Sequence, residues 1–495
     1  MKDFLKYTLA TVTGIIAVSA VMMFLGIISL IGMLASEQSK PKVKDNSVFV
    51  LSLSGAMQER SEDDVFSQIT GNAPAVVGLE DVLNSIRKAK DDDNIKGIYI
   101  EAGMFVPDSP ASTQAIRKQL ADFKESGKWI VAYADAYTQS TYYICSVADK
   151  VLLNPQGVVD WRGLAAQPIF LKDLMAKFGV KMQLAKVGKY KSAPEMFTAD
   201  KMSGPNREQV AAYINGIWDT MLTDVAQSRK LSKQRLDAYA DSMVTLAAAE
   251  ELVKMKMVDK LVYASDVKGE IKRLLGIDAD RKINQLTLAD MKNLPGADNG
   301  KGGEVAVYYA YGDVVDTNPG GINTEACIAG DKVCSDLEEL ADDDDVKAVV
   351  LRVNSGGGSA YASEQIWHAV TKLRERKPVV VSMGGMAASG GYYLSCAANY
   401  IYAEPTTLTG SIGIFGMFPN FSGLLTDKLG IKFDEVTTNK HSAFGTMARP
   451  FNAEEMAYLN AYIDRGYRLF IKRVAEGRKM STANVDSIAQ GRVWL

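Results

Sequence analysis

"DDDNIKGIYIE" (Asp91–Glu101) returns 251 residues later as "DDDDVKAVVLR" (Asp342–Arg352). In both copies an acidic run opens onto a short apolar stretch, the composition of a solvated loop entering a buried strand. A calcium site would need more widely spaced ligands than these consecutive aspartates. Two further matches keep nearly the same distance. "KWIVAYADAYTQSTYYICSVADKV" (128–151) aligns with "KPVVVSMGGMAASGGYYLSCAANYI" (377–401), which sets Tyr142 and Tyr143 on Tyr392 and Tyr393. "VAQSRKLS" (225–232) aligns with "VAEGRKMS" (474–481). Self-similarity at a fixed distance marks a duplication. The halves are read as 46–280 and 304–495, with 281–303 as a linker whose end, "LPGADNGKGGE" (294–304), has a loop's Gly, Asn and Asp content.

Within each half, Val/Ile-rich runs such as "IKGIYI", "WIVAYA", "VKAVVLRV" and "PVVVS" alternate with longer helical patterns. Continuous apolar strands separated by helices predict an α/β fold with a buried, largely parallel sheet in each half. The copies end differently. The first continues through "AAAEELVKMKMVDKLVYASDVKGEIKRLLG" (247–276), read as helix, short strand and helix, whereas the match in the second runs into Leu495. The expectation is that the second half is completed by further chain or by a borrowed element.

Composition narrows the function. The 495 residues carry a net charge of −3, which gives no electrostatic case for nucleic acid. Two histidines and four cysteines, with no CxxC or HExxH, leave little for a zinc site, so neither metal nor cofactor is expected. Residues 7–36 carry no charge. About 20 apolar residues cross a bilayer, and a cleavable signal has a core of only about 7–15. This segment is therefore read as an uncleaved transmembrane anchor. Lysines on both sides of it leave its orientation open.

The duplication supplies a control for each candidate residue, because a purely structural role should recur. Ser389 lies opposite Gln139, and Gly390 and Gly391 lie opposite Ser140 and Thr141. A serine among small residues at a strand-to-helix turn has the setting of a nucleophile, with the next backbone N–H free to face an oxyanion. It equally has the setting of a helix N-cap. The loop "NSGGGS" (354–359) can present backbone N–H groups, and the absence of a following GK[ST] excludes a P-loop. Lys191 lies opposite His441. A lysine is a base only when neutral, and lowering its pKa from about 10.4 to about 7 costs roughly 4–5 kcal/mol, which burial can supply. A surface lysine is the plain alternative. His441 is the rival base, although no aspartate is evidently placed to orient it. His368 is read as a structural residue of a helix. Cys145 and Cys396 read as packed core thiols, and Cys327 and Cys334 as either a short disulfide or two free thiols.

The set "NSGGGS", "SMGGMAASGGYY", "LTGSIGIFG" (408–416) and "YKSA" (190–193), in this order and with the anchor and the duplication, resembles the long form of the signal peptide peptidase A, or protease IV, family. The resemblance implies a tandem crotonase/Clp-protease-like fold and a membrane-anchored serine peptidase that degrades cleaved signal peptides and other short or unfolded polypeptides. It implies Ser389 as nucleophile, Lys191 as general base, Ser411 orienting the lysine, and the N–H groups of Gly358 and Gly390 as oxyanion hole. It further implies a bacterial inner-membrane location with the body on the extracytoplasmic side, and a homotetramer. Where the family has proline before the paired glycines, this chain has Gly356, which makes the loop less pre-organised. Peptide substrate is expected to dock as an added strand after the glycines or after Ser411, in an apolar pocket. Two other readings are an acyl-CoA enzyme of the same fold and an inactive membrane-tethered scaffold.

Overall fold

The computed structural model describes residues 2–37, 43–61, 76–295, 302–318, 320 and 326–495. The first half carries β1 (Ser47–Gln58), β2 (Val76–Gly78), β3 (Ile95–Val106), β4 (Trp129–Tyr137), β5 (Lys150–Val159), β6 (Lys181–Val187), β7 (Lys260–Leu261) and β8 (Asn284–Leu286). The second carries β9 (Glu304–Tyr311), β10 (Asp313–Val315), β11 (Cys327–Ala329), β12 (Val346–Ser355), β13 (Val379–Ala388), β14 (Tyr400–Tyr402), β15 (Leu408–Gly410), β16 (Ile414–Asn420) and β17 (Val493–Trp494).

The first sheet runs β2-β1-β3-β4-β5-β7 with β8 also on β1, and all its pairings are parallel. The second runs β17-β15-β13-β12-β9 with β14 also on β13, parallel except where β17 joins β15. The order β1-β3-β4-β5 thus recurs as β9-β12-β13-β14, and the duplication read from the sequence is a duplication of the fold. Each half has its own apolar core, one built on Phe49, Ile98, Ile130 and Leu153, the other on Val349, Val353, Val381 and Leu394. Strands buried on both faces read as continuous Val/Ile runs, which is why they were legible.

The reading of 281–303 as a linker is corrected. β8 pairs with β1 from Ser47↔Asn284 to Phe49↔Leu286, and Met291, on the following helix Leu288–Asn293, is fully buried in the first core. Ile283, Leu286, Leu288, Met291 and Leu294 all pack on the cores of the first half and extend it as far as Leu294. The segment after residue 246 forms the expected helix Ala249–Lys254, strand β7 and helix Ala264–Leu275. The N-terminal segment is one helix, Lys2–Glu37, and Asp3–Gly26 within it is long and apolar enough to cross a membrane and is unburied by the described residues.

The halves are joined by an antiparallel ribbon in which β6 pairs with β16, from Ile414↔Val187 to Asn420↔Lys181. This ribbon hands the chain that follows β6 to the second half.

Candidate active site

Ser389 follows the last residue of β13 and precedes the short helix Gly390–Ser395. Its backbone sits at φ 54°, ψ −119°, a conformation that costs a non-glycine residue about 1–3 kcal/mol and persists only where the surroundings impose it. They do so here. Ser389 N–H donates to Gly410 O at 2.9 Å, and Ser389 O accepts from Tyr393 N–H at 2.9 Å. The N-cap alternative fails, because the Ser389 side chain caps nothing. In the first half the same turn carries a true cap, Thr138, whose hydroxyl accepts from Thr141 N–H.

Lys191 Nζ lies 3.0 Å from Ser389 Oγ and 2.9 Å from both the carbonyl oxygen and Oγ of Ser411. Only 4% of the residue is exposed, and it forms no ion pair among the described residues. Burial alone lowers its pKa from 10.5 to about 8. The surface-lysine alternative is thereby excluded. The ribbon brings Lys191 here, and the chain at 490–492 holds it. Tyr190 N–H donates to Gln490 O at 2.9 Å, and Ser411 N–H donates to Arg492 O at 2.7 Å. Gln209 Nε2 donates to Tyr190 O and to Ser192 Oγ, which fixes the residues on either side of the lysine. Sequence reading found Lys191, Ser389 and Ser411 but missed this clamp, which is mostly backbone and leaves no side-chain pattern.

The N–H groups of Gly358 and Gly390 have no acceptor among the described residues. They lie close together, since a Cβ on Gly390 would stand 3.2 Å from Gly358 N. Two free donors beside a serine hydroxyl are able to hold an oxyanion. Val314 occupies the other side of this loop, donating to Gly357 O and accepting from Ser359 N–H. Of the two docking edges expected, one side of the glycine segment is thus taken by Val314 and one side of β16 by β6.

Around these groups opens a cleft of about 720 Å³ that also touches Gly413, Ile414, Phe418, Leu459, Ile463 and Phe470. Its walls are mostly apolar. His441 is not part of it. The ring packs edge-on against Tyr458 at 5.4 Å and lies 3.6 Å from Glu454. His368 is on the helix Ala360–Arg376 as read, but on its exposed face. All four cysteines are free, and burial raises the thiol pKa of both Cys145 and Cys396.

The first half shows how such a site closes. Gln139, opposite Ser389, accepts at Oε1 from the N–H groups of Arg162 and Gly163, both at 3.1 Å. Trp161, which follows the counterpart of β15, is fully buried and donates from Nε1 to Leu236 O. At the position of Ser389 the first half thus carries a side-chain amide engaged with its own backbone.

Residues 122–278 and 371–495 match the family model described as peptidase family S49, one stretch in each half, and 323–407 match that of Clp protease. The chain is 38% identical over 424 residues to protease 4 of Salmonella typhi, covering 84% of this chain and 67% of that one. It is 33% identical over 495 residues to protease 4 of Haemophilus influenzae, covering 95% and 79%. It is 27% identical over 467 residues to the chloroplastic serine protease SPPA of Arabidopsis thaliana, covering 92% and 66%.

Proposed function

The chain belongs to peptidase family S49 and is a serine peptidase, and on that premise we propose that its reaction is run by a Ser389–Lys191 dyad shared between the halves. The observation that carries this is the buried Lys191 amine, 3.0 Å from Ser389 Oγ and without a counter-ion among the described residues. A neutral amine has one lone pair and two hydrogens, and three partners surround it. The hydrogens go to the two oxygens of Ser411, and the lone pair accepts the Ser389 hydroxyl proton.

Ser389 Oγ attacks the peptide carbonyl while its proton passes to Nζ. The tetrahedral oxyanion is held by the N–H groups of Gly358 and Gly390, each such donor being worth about 10²–10³ in rate. As the carbon–nitrogen bond breaks, Nζ returns the proton to the leaving amine. A water, deprotonated by the same lysine, then attacks the acyl carbon, and Nζ returns that proton to Ser389 Oγ as the ester bond breaks. The first half supplies the base and the second the nucleophile.

The apolar cleft suits apolar side chains, and the substrates proposed are cleaved signal peptides and other short or unfolded polypeptides. The N-terminal helix anchors the protein in a bacterial inner membrane with the body on the extracytoplasmic side, and four chains assemble around an interior space. Digestion of intact spheroplasts by added protease tests the sidedness, and light scattering in detergent tests the tetramer. A body protected from the added protease, or a monomer mass, contradicts them. The catalytic reading is tested with an activated phosphonate that labels serine nucleophiles. Intact-protein mass should show one adduct, mapped to Ser389 and absent from Ser389→Ala. An adduct that persists in that variant contradicts the reading.

A further inference from the structure

Glu59 stands just beyond β1 of the first half, yet its carboxylate is spent in the second. The residue is 5% exposed. It accepts from Nε and Nη2 of Arg352, both at 3.0 Å, and from Asn354 Nδ2 at 3.1 Å. Arg352 and Asn354 lie at the end of β12, immediately ahead of the glycine loop. Arg352 Nη1 continues to Ser382 Oγ and Met383 O on β13, both at 3.0 Å.

The ladder between these strands is broken at this point. Val353 faces Met383 whereas Ser355 faces Ala387, so the segment Gly384–Met386 bulges opposite Asn354. Bulges beside active sites re-aim the chain that follows them. Asn354 fills this one, accepting from Met386 N–H at 3.0 Å while its amide donates to Glu59 and to Asp108 of the first half. The paired glycines of "SMGGMAAS" acquire a reason. A Cβ on Gly384 would lie 2.5 Å from Glu59 Oε1, and one on Gly385 2.3 Å from Ser109 Cβ. The first half passes directly against the β13 backbone, a few residues before Ser389. The arrangement is not repeated, since Glu101 and Gly103 occupy the positions of Arg352 and Asn354 in the first half.

We infer that Glu59 is a positioning residue: from the first half it pins the β12–β13 bulge that aims both the Ser389 turn and the Gly357–Gly358 backbone, so the serine half is competent only with the lysine half docked. The inference rests on the proposed role of Ser389. Its removal acts on alignment and not on the Lys191 proton, and small misplacements of reacting groups cost up to about 10²-fold in rate.

The test is hydrolysis of an apolar peptide ester by the full-length protein carrying Glu59→Gln, and by the double variant Glu59→Met with Arg352→Met. The double variant leaves no unpaired buried charge and so guards against simple unfolding. Rates are expressed per serine labelled by the phosphonate, with folding checked by circular dichroism. Both variants should lose about 10- to 100-fold in kcat, with KM within about threefold and the pH midpoint unchanged. A folded double variant with kcat within about twofold of wild type overturns the inference, as does a loss that vanishes per labelled serine. Ser389→Ala is run beside them. If it remains active, the reading of the site falls. If it is dead while the Glu59 variants are fast, only the positioning role falls.

Discussion

Lys191 is held in a state that suits catalysis and works against stability. Its pKa of about 8 lies below the ordinary 10.5 because burial penalises the charged form and no carboxylate compensates. Below pH 8 the folded protein therefore contains a desolvated ammonium, a burden of about 3 kcal/mol at about 1.36 kcal/mol per unit. The unfolded chain binds the extra proton between pH 8 and 10.5, so this residue's contribution to stability rises with pH across that window. Two outcomes follow for the one side chain. The acylation rate should climb about tenfold per pH unit below the midpoint and level off above about pH 8, as read by ester hydrolysis from pH 5.5 to 9.5. Lys191→Met should unfold at higher urea than wild type at pH 7 while being inactive. A flat pH profile, or a Lys191→Met protein less stable at pH 7, would show that the amine is not strained by burial.

The glycine loop divides into positions that need glycine and one that does not. Gly357 has φ 102°, and a Cβ there would stand 2.6 Å from Gly390 N and 2.7 Å from Ser389 Cβ. Gly357→Ala should thus lower kcat by about 10² or more by displacing the oxyanion donors. Gly356 lies outside the left-handed region, its N–H has no acceptor among the described residues, and a Cβ would meet only Met386 Sδ at 3.4 Å. Gly356→Pro should be tolerated and add about 0.4–1 kcal/mol by restricting the unfolded chain. Steady-state kinetics and urea unfolding of the two variants check this contrast, and an inactive Gly356→Pro contradicts it. The strand–turn–helix around Ser389 was legible in the sequence because two copies could be compared and one had lost the serine. Lys191 was legible as the partner of His441 in that alignment and through the resemblance carried by "YKSA" (190–193). The Glu59 contact was not legible, since a lone glutamate after a strand has no pattern and no counterpart. β8 was missed because a three-residue strand and the six-residue helix after it are too short for either period to show among Ile283, Leu286, Leu288, Met291 and Leu294.

At the scale of the molecule, two copies of one fold flank the proposed site, with Lys191 from one and Ser389 from the other. The first has Gln139 in place of the serine and sends Lys191 across the β6–β16 ribbon, while the second kept the serine and has His441 half-buried against Tyr458, away from it. Neither half holds both members of the proposed dyad. The exposed stretch Asp3–Gly26 fits a membrane anchor and not a component of the site. The most direct measurement is hydrolysis of an apolar peptide ester by the wild type, Lys191→Ala and His441→Ala, side by side at pH 8. The split site predicts that Lys191→Ala falls to background while His441→Ala keeps essentially the wild-type rate. An inactive His441→Ala beside an active Lys191→Ala would place nucleophile and base in the same half and contradict the account.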